Sequence, residues 1–280
     1  MTEYLRPRTL AEALAARAAH PDWLPIAGGT DVLVSAPHRP APKGLLDLWR
    51  LPELGGITEE GGGLRVGAGV TWLEVQRDAR VRARASILVD AAREIGALQI
   101  QARGTVGGNL ATSSPVGDSL PVLLALEAEL ELASTRGVRR LPYPQFCTGY
   151  RKTALAPDEL ITAIVLPPLA PGAHLRWRKV GTRRAQSISK VMGAAAIYVD
   201  AGVVRRATVA FGAVADRPVR LAAVEAAVAG LPCADASAAA RAAVASSISP
   251  ITDVRSQRDY RLLVAENLVA RFFAGLDASA

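Results

Sequence analysis

Two glycine-rich stretches constrain this chain more than any other feature. The first reads Pro25-Ile26-Ala27-Gly28-Gly29-Thr30-Asp31-Val32, the second Gly104-Thr105-Val106-Gly107-Gly108-Asn109-Leu110. Glycine has no Cβ and reaches positive φ at no steric cost. Consecutive glycines therefore let several backbone N–H groups converge, and such a concavity favours anions, phosphate above all. Two of them can clamp a pyrophosphate from both sides. A carboxylate follows in Ser114-Pro115-Val116-Gly117-Asp118, where it could accept from a ribose hydroxyl. Together these point to a dinucleotide. Singly each is ambiguous: Gly-Gly-Thr is often only a tight turn, and Asp118 could cap a helix beginning near Ser119. Commoner nucleotide motifs are missing. Gly67-Ala68-Gly69-Val70-Thr71-Trp72 starts like a Rossmann fingerprint but places Trp72 at the third glycine, and no P-loop lysine pattern occurs.

Other chemistries have little to work with. The two cysteines, Cys147 and Cys233, exclude an iron–sulfur cluster or cysteine-type zinc site held by this chain alone. His20, His38 and His174 are far apart in loop-like, proline-rich context, so neither a metal triad nor a Ser-His-Asp arrangement is evident. The net charge of +7 comes from arginine, clustered locally at 77–84 and at Arg183-Arg184. Basic residues are not interleaved with aromatics and no nucleic-acid module is visible. The excess reads as a solvated surface or as a docking face for an acidic partner. No apolar run approaches the roughly 20 residues of a membrane span, and the first residues lack a signal-peptide core. Cytoplasmic residence is expected.

At 280 residues the chain can hold two domains. Capping-box patterns at Thr9-Leu10-Ala11-Glu12 and Thr71-Trp72-Leu73-Glu74 start helices. Short strands are expected at 23–27, 44–48, 64–68 and 129–132, with helical segments at 84–97 and 121–127. The proline-rich stretch 167–172 reads as a linker. After it come strands at 175–180, 194–199 and 203–211, the last two joined by a hairpin at Ala201-Gly202. Three helices follow: one starting at Pro218 and stopping at Gly230, one over 237–247, and one over 256–275. The last carries Tyr260, Leu263, Val264, Leu268 and Phe272 on one face. The expected domains are 1–168, itself split into 1–57 and 58–168, and 173–280.

With this layout the chain resembles the FAD-binding medium subunit of molybdenum hydroxylases, the group of bacterial CO dehydrogenases and xanthine dehydrogenases. The likeness covers nearly the whole chain. It rests on Ala27-Gly28-Gly29-Thr30-Asp31, the run from Ile95 to Asn109, Ser114-Pro115-Val116-Gly117-Asp118, Asp158-Glu159-Leu160-Ile161, and Lys179-Val180-Gly181-Thr182-Arg183-Arg184-Ala185-Gln186. The resemblance implies an α+β fold: a two-part FAD-binding domain of the PCMH/vanillyl-alcohol-oxidase type, then a C-terminal α+β domain with a three-stranded antiparallel sheet and helices. It implies FAD, with the pyrophosphate on Ala27, Gly28, Gly29, Thr30 and Asp31 and on Thr105, Val106, Gly107, Gly108 and Asn109. Asp118 would meet the adenosine ribose, Ile161 and Lys179 would lie near the flavin ring, and loop 180–190 would border it. No histidine or cysteine adjoins the glycine loops, so FAD is expected to be non-covalent. The implied partners are an iron–sulfur small subunit with [2Fe-2S] clusters and a large subunit with the molybdenum cofactor, assembled as a dimer of heterotrimers. The large subunit would oxidise a xanthine or other N-heterocycle, an aldehyde or CO. This chain would contribute no catalytic side chain and would pass electrons through FAD to an external acceptor. Departures occur at Ser187, where many relatives carry aspartate, and at Ile188 and Ser189, where some place an aromatic ring. A stand-alone FAD-dependent reductase or oxidase of the same fold, and a basic adaptor without cofactor, stay open as alternatives.

Overall fold

The computed structural model describes residues 2–38, 40–184 and 186–276. Its N-terminal part is a small parallel sheet in which Gly44–Asp47 lies between Glu3–Leu5 and Leu24–Ile26. Helix Leu10–Ala19 covers one face and buries Ala13 against Leu46, Leu48, Leu51 and Leu54. Thr9 caps it by accepting the Glu12 N–H at 3.2 Å. The capping box is only half formed, because the Glu12 carboxylate takes the Arg8 N–H instead of that of Thr9. Leu160, from the next part of the chain, completes this cluster and ties the small unit to its neighbour.

The larger part holds a five-stranded antiparallel sheet in the order Ile57–Glu60, Gly63–Gly67, Leu160–Leu166, Glu129–Ser134, Gly137–Pro142. Its central strand is apolar apart from Thr162 and buried throughout. Glu129–Ser134 alternates as its sequence does: Leu130 and Leu132 face the core, while Glu131 turns to Arg65 at 2.6 Å. Helices Trp72–Arg77, Ala79–Arg84, Ser86–Glu94 and Leu120–Ala125 bury their apolar residues in the same core. The second capping box is complete: Thr71 Oγ1 accepts the Glu74 N–H, and Glu74 Oε2 accepts the Thr71 N–H at 2.7 Å.

The C-terminal part is an antiparallel sheet of His174–Val180, Val191–Asp200 and Val203–Gly212, plus a two-residue fourth strand, Val219–Arg220. Ala201 and Gly202 join the two long strands with φ of 49° and 71°, the left-handed pair that a tight hairpin turn needs. The helix expected from Pro218 starts later, at Ala222–Val228, because Val219 and Arg220 pair with Phe211 and Ala210 and Glu225 accepts from Arg220. The next helix runs over Cys233–Ala243, earlier than expected. The last, Arg258–Phe273, is rotated from its expected face: Tyr260 and Leu263 are exposed while Arg261 is buried. Arg261 is drawn inward because its guanidinium donates to the carbonyls of Lys190 and Ala213 and to Asp253.

This sheet is covered on both faces. Ala194 and Ala210 join the core of the preceding part, while Ala195, Ile197, Val209 and Phe211 pack on the C-terminal helices. No helix among the described residues is long and apolar enough to cross a membrane. Residues 277–280, read as a short low-complexity tail, lie outside the described residues.

Candidate cofactor site

A cleft of about 1150 Å³ lies between the small parallel sheet and the helices of the larger part, and reaches the C-terminal part at Gln186, Ser187 and Ile188. It exceeds the roughly 300–1,000 Å³ of ordinary small-ligand pockets and suits a long cofactor. Ala27, Gly28, Gly29, Thr30 and Asp31 all stand in its wall. Gly29 has the expected positive φ, 76°. Gly28 does not; a Cβ there would sit 1.7 Å from the Arg103 carbonyl oxygen, so glycine is needed for close approach. Among the described residues, the N–H groups of Gly28, Gly29 and Thr30 donate to no protein acceptor. They form the concavity of unused donors that the sequence suggested.

The second stretch differs from expectation. It follows the helical turn Leu98–Gln101, and Val106–Thr112 is a short helix. Neither Gly107 nor Gly108 has positive φ. The Val106 and Gly107 N–H groups donate to the carbonyls of Val70 and Ala68, and that of Gly108 to its own cap, Thr105 Oγ1, at 3.1 Å. The second N–H concavity therefore does not form, because starting a helix consumes its donors. The glycines serve packing. A Cβ on Gly107 would lie 2.7 Å from that of Ala68, whereas one on Gly108 would meet only Thr105 Oγ1, at 3.0 Å, and otherwise open space. Thr105, Gly108 and Asn109 line the cleft; Val106 and Gly107 are buried behind it.

Asp118 also lines the cleft, and it caps nothing: helix Leu120–Ala125 has no side-chain cap. Its Oδ2 accepts from Lys179 Nζ at 2.6 Å and its Oδ1 from Ser189 Oγ at 2.6 Å, while Lys179 also donates to the Glu94 carbonyl. Burial pushes the Asp118 carboxyl up, against the opposing pull of Lys179 and Ser189. A carboxylate has about four acceptor sites, so a ligand hydroxyl can still be accommodated. Lys179 stands behind Asp118, and neither it nor Ile161 is in the cleft wall. Ile161 lies in the central strand beside Leu132. Asp118 and Lys179, assigned to different parts of a cofactor, thus sit at one place, and Lys179 reaches the cleft only through Asp118.

Loop 180–190 closes this end. Gln186 N–H donates to the Gly96 carbonyl at 3.4 Å, Ser187 Oγ to the Arg183 carbonyl at 2.8 Å, and Ile188 is half exposed. Ala185 lies outside the described residues. Arg17, Arg151 and Leu155 also line the cleft; sequence reasoning missed them, since nothing local marks them out. No group of three or more potential ligands could hold a metal among the described residues, and Cys147 and Cys233 are buried without a disulfide.

The unused donors, the open wall at Gly108 and the length of the cleft fit a diphosphate-linked dinucleotide. Fold and site together define a dinucleotide-binding protein in which a two-part cleft is closed by a C-terminal sheet-and-helix layer. The chain belongs to the family described as FAD binding domain in molybdopterin dehydrogenase, which matches residues 1–169; residues 176–276 match the CO dehydrogenase flavoprotein C-terminal domain. It is 32% identical to the xanthine dehydrogenase FAD-binding subunit of Escherichia coli, over 99% of this chain and 96% of that one. It is 33% identical to the nicotinate dehydrogenase FAD-subunit of Eubacterium barkeri, over 82% of this chain and 80% of that one. Among solved structures it is similar to a carbon monoxide dehydrogenase from Hydrogenophaga pseudoflava, with a TM-score of 0.94 and 30% identity over 99% of this chain and 97% of that chain.

Proposed function

We propose that this chain is the FAD-binding subunit of a cytoplasmic molybdenum hydroxylase, working with an iron–sulfur subunit and a molybdenum-bearing large subunit that holds the substrate. The observation that carries the reading is the cleft itself, whose wall holds both unused N–H donors and a cleared helix start. Bound FAD would supply the exchange between electron pairs and single electrons that links the clusters to an external acceptor. The protein's residues bind and orient. Gly28, Gly29 and Thr30 donate to the pyrophosphate, with Ala27 and Asp31 shaping that side. Thr105, Gly108 and Asn109 bound the cleft from the second stretch, with Val106 and Gly107 setting the backbone from behind. Asp118 accepts from a sugar or ribityl hydroxyl and is held for this by Lys179 and Ser189. Ile161 belongs to the supporting core. No side chain of this chain acts on the substrate.

Denaturing the purified protein should release FAD, and protein made with its partners should carry molybdenum and iron. Release of FMN, or of no flavin, overturns the cofactor. Substrate-dependent dye reduction by the isolated chain, free of molybdenum and iron, favours the stand-alone flavoenzyme instead.

A further inference from the structure

Beside the first glycine turn stands a hairpin, Cys147–Gly149 paired with Lys152–Thr153. Its turn carries Arg151, which adopts the left-handed conformation (φ 51°) and lines the cleft. Backbone in this region is costly for a residue other than glycine and is retained where the surroundings impose it. The hairpin touches both cofactor loops. Cys147 Sγ lies 3.1 Å from Ser113 Oγ, directly after helix Val106–Thr112. Arg151 Nη1 lies 3.7 Å from Asp31 Oδ2, in the first turn.

The charge balance of the cleft is incomplete without this arginine. A pyrophosphate would enter between Asp31 and Asp118, both acidic. Asp118 is matched by the buried Lys179, whereas backbone N–H groups offer the phosphates only partial charge. Two cationic side chains stand in the wall among the described residues, Arg17 and Arg151. Arg17 is fixed, buried with Nη1 donating to the Trp23 carbonyl at 2.8 Å. Arg151 is partly exposed, and its pair with Asp31 is too long for a hydrogen bond. A guanidinium forks onto phosphate oxygens and remains charged at any working pH.

We propose that Arg151 is a pyrophosphate-binding residue: it leaves Asp31 for the cofactor phosphates, and its hairpin straps the cofactor against the first glycine turn. This rests on the reading that the cleft takes FAD. The test measures FAD affinity of the full chain, stripped of flavin and retitrated at low and high salt. Arg151→Gln should weaken binding roughly ten- to a hundredfold at low salt, the range for a hydrogen bond to a charged group, and should flatten the salt dependence. Arg151→Lys, which keeps the charge and loses the fork, should fall between. Asp31→Asn should bind several-fold tighter, because it removes both the competitor for the guanidinium and a charge that repels phosphate. If the pair is only a structural clasp, Arg151→Gln and Asp31→Asn would weaken binding in parallel, irrespective of salt, and that result overturns the proposal. So does wild-type affinity in Arg151→Gln. A wild-type chain that takes up no FAD overturns the inference together with the reading beneath it.

Discussion

Gly28 and Gly108 both line the cleft, and their substitutions should fail in different ways. A Cβ at Gly28 collides with the Arg103 backbone carbonyl, and backbone cannot swing aside as a side chain can. Gly28→Ala should therefore cost about 1–3 kcal/mol and lose flavin as well. At Gly108 the space beyond Thr105 Oγ1 is open. Gly108→Val should keep its circular dichroism and melting temperature while flavin content falls; full flavin occupancy would remove the second loop from the site. Glu159 presents a separate case. It is buried, and accepts from Arg139 Nε at 2.6 Å, from Arg139 Nη2 at 2.8 Å and from the Ala156 N–H. The Arg139 guanidinium holds its carboxyl below the usual range of about 4.3. A depressed folded pKa adds stability that is complete above the unfolded value and is lost as pH falls through the folded one. Glu159→Gln should cost about 1–2 kcal/mol at pH 7, discounted because Arg139 is partly exposed. The gap in urea-denaturation free energy should narrow as pH drops below about 4.

Elements with a local signature could be read before the fold was known. The Thr71 cap, the Ala201-Gly202 hairpin and the alternating Glu129–Ser134 strand each follow from neighbours in sequence. Thr71→Ala should cost roughly 0.5–2 kcal/mol in chemical denaturation, since it removes one arm of the capping box. Other elements are set by distant partners. Leu160–Leu166 is nearly all apolar because both its faces are buried, so it shows no period. Gly137–Pro142 is an exposed edge strand rich in arginine, and Val219–Arg220 exists only through Phe211 and Ala210. Residues of both glycine stretches line the cleft, yet the secondary structure of the second could not be read. Glycine is a poor helix former, and the cause of Gly107 is the packing of Ala68 beside it. Arg151 reaches the cleft from far along the chain, with no local mark to reveal it.

At the scale of the whole molecule, the cleft is built from three parts of the chain and the pair Lys179–Asp118 joins the last to the second. Breaking a buried pair on one side leaves an uncompensated charge, typically at a cost of about 3–5 kcal/mol. Lys179→Met should therefore lower the stability of the entire chain in one cooperative transition, and a wild-type melting curve would show that the pair carries no such burden. The same unity is visible where Thr208 Oγ1 donates to the Ala125 carbonyl at 2.5 Å, next to Ala194 and Ala210, all buried. Methyl-sized side chains let the last sheet press directly onto helix Leu120–Ala125. Anyone splicing halves of related subunits near residue 170 would find no seam at the proline-rich crossing. A bulkier residue from a foreign second half, at either alanine, would wedge the two halves apart and open the cleft from behind. The halves must then diverge in step, each accepting changes only as fast as the other can accommodate them.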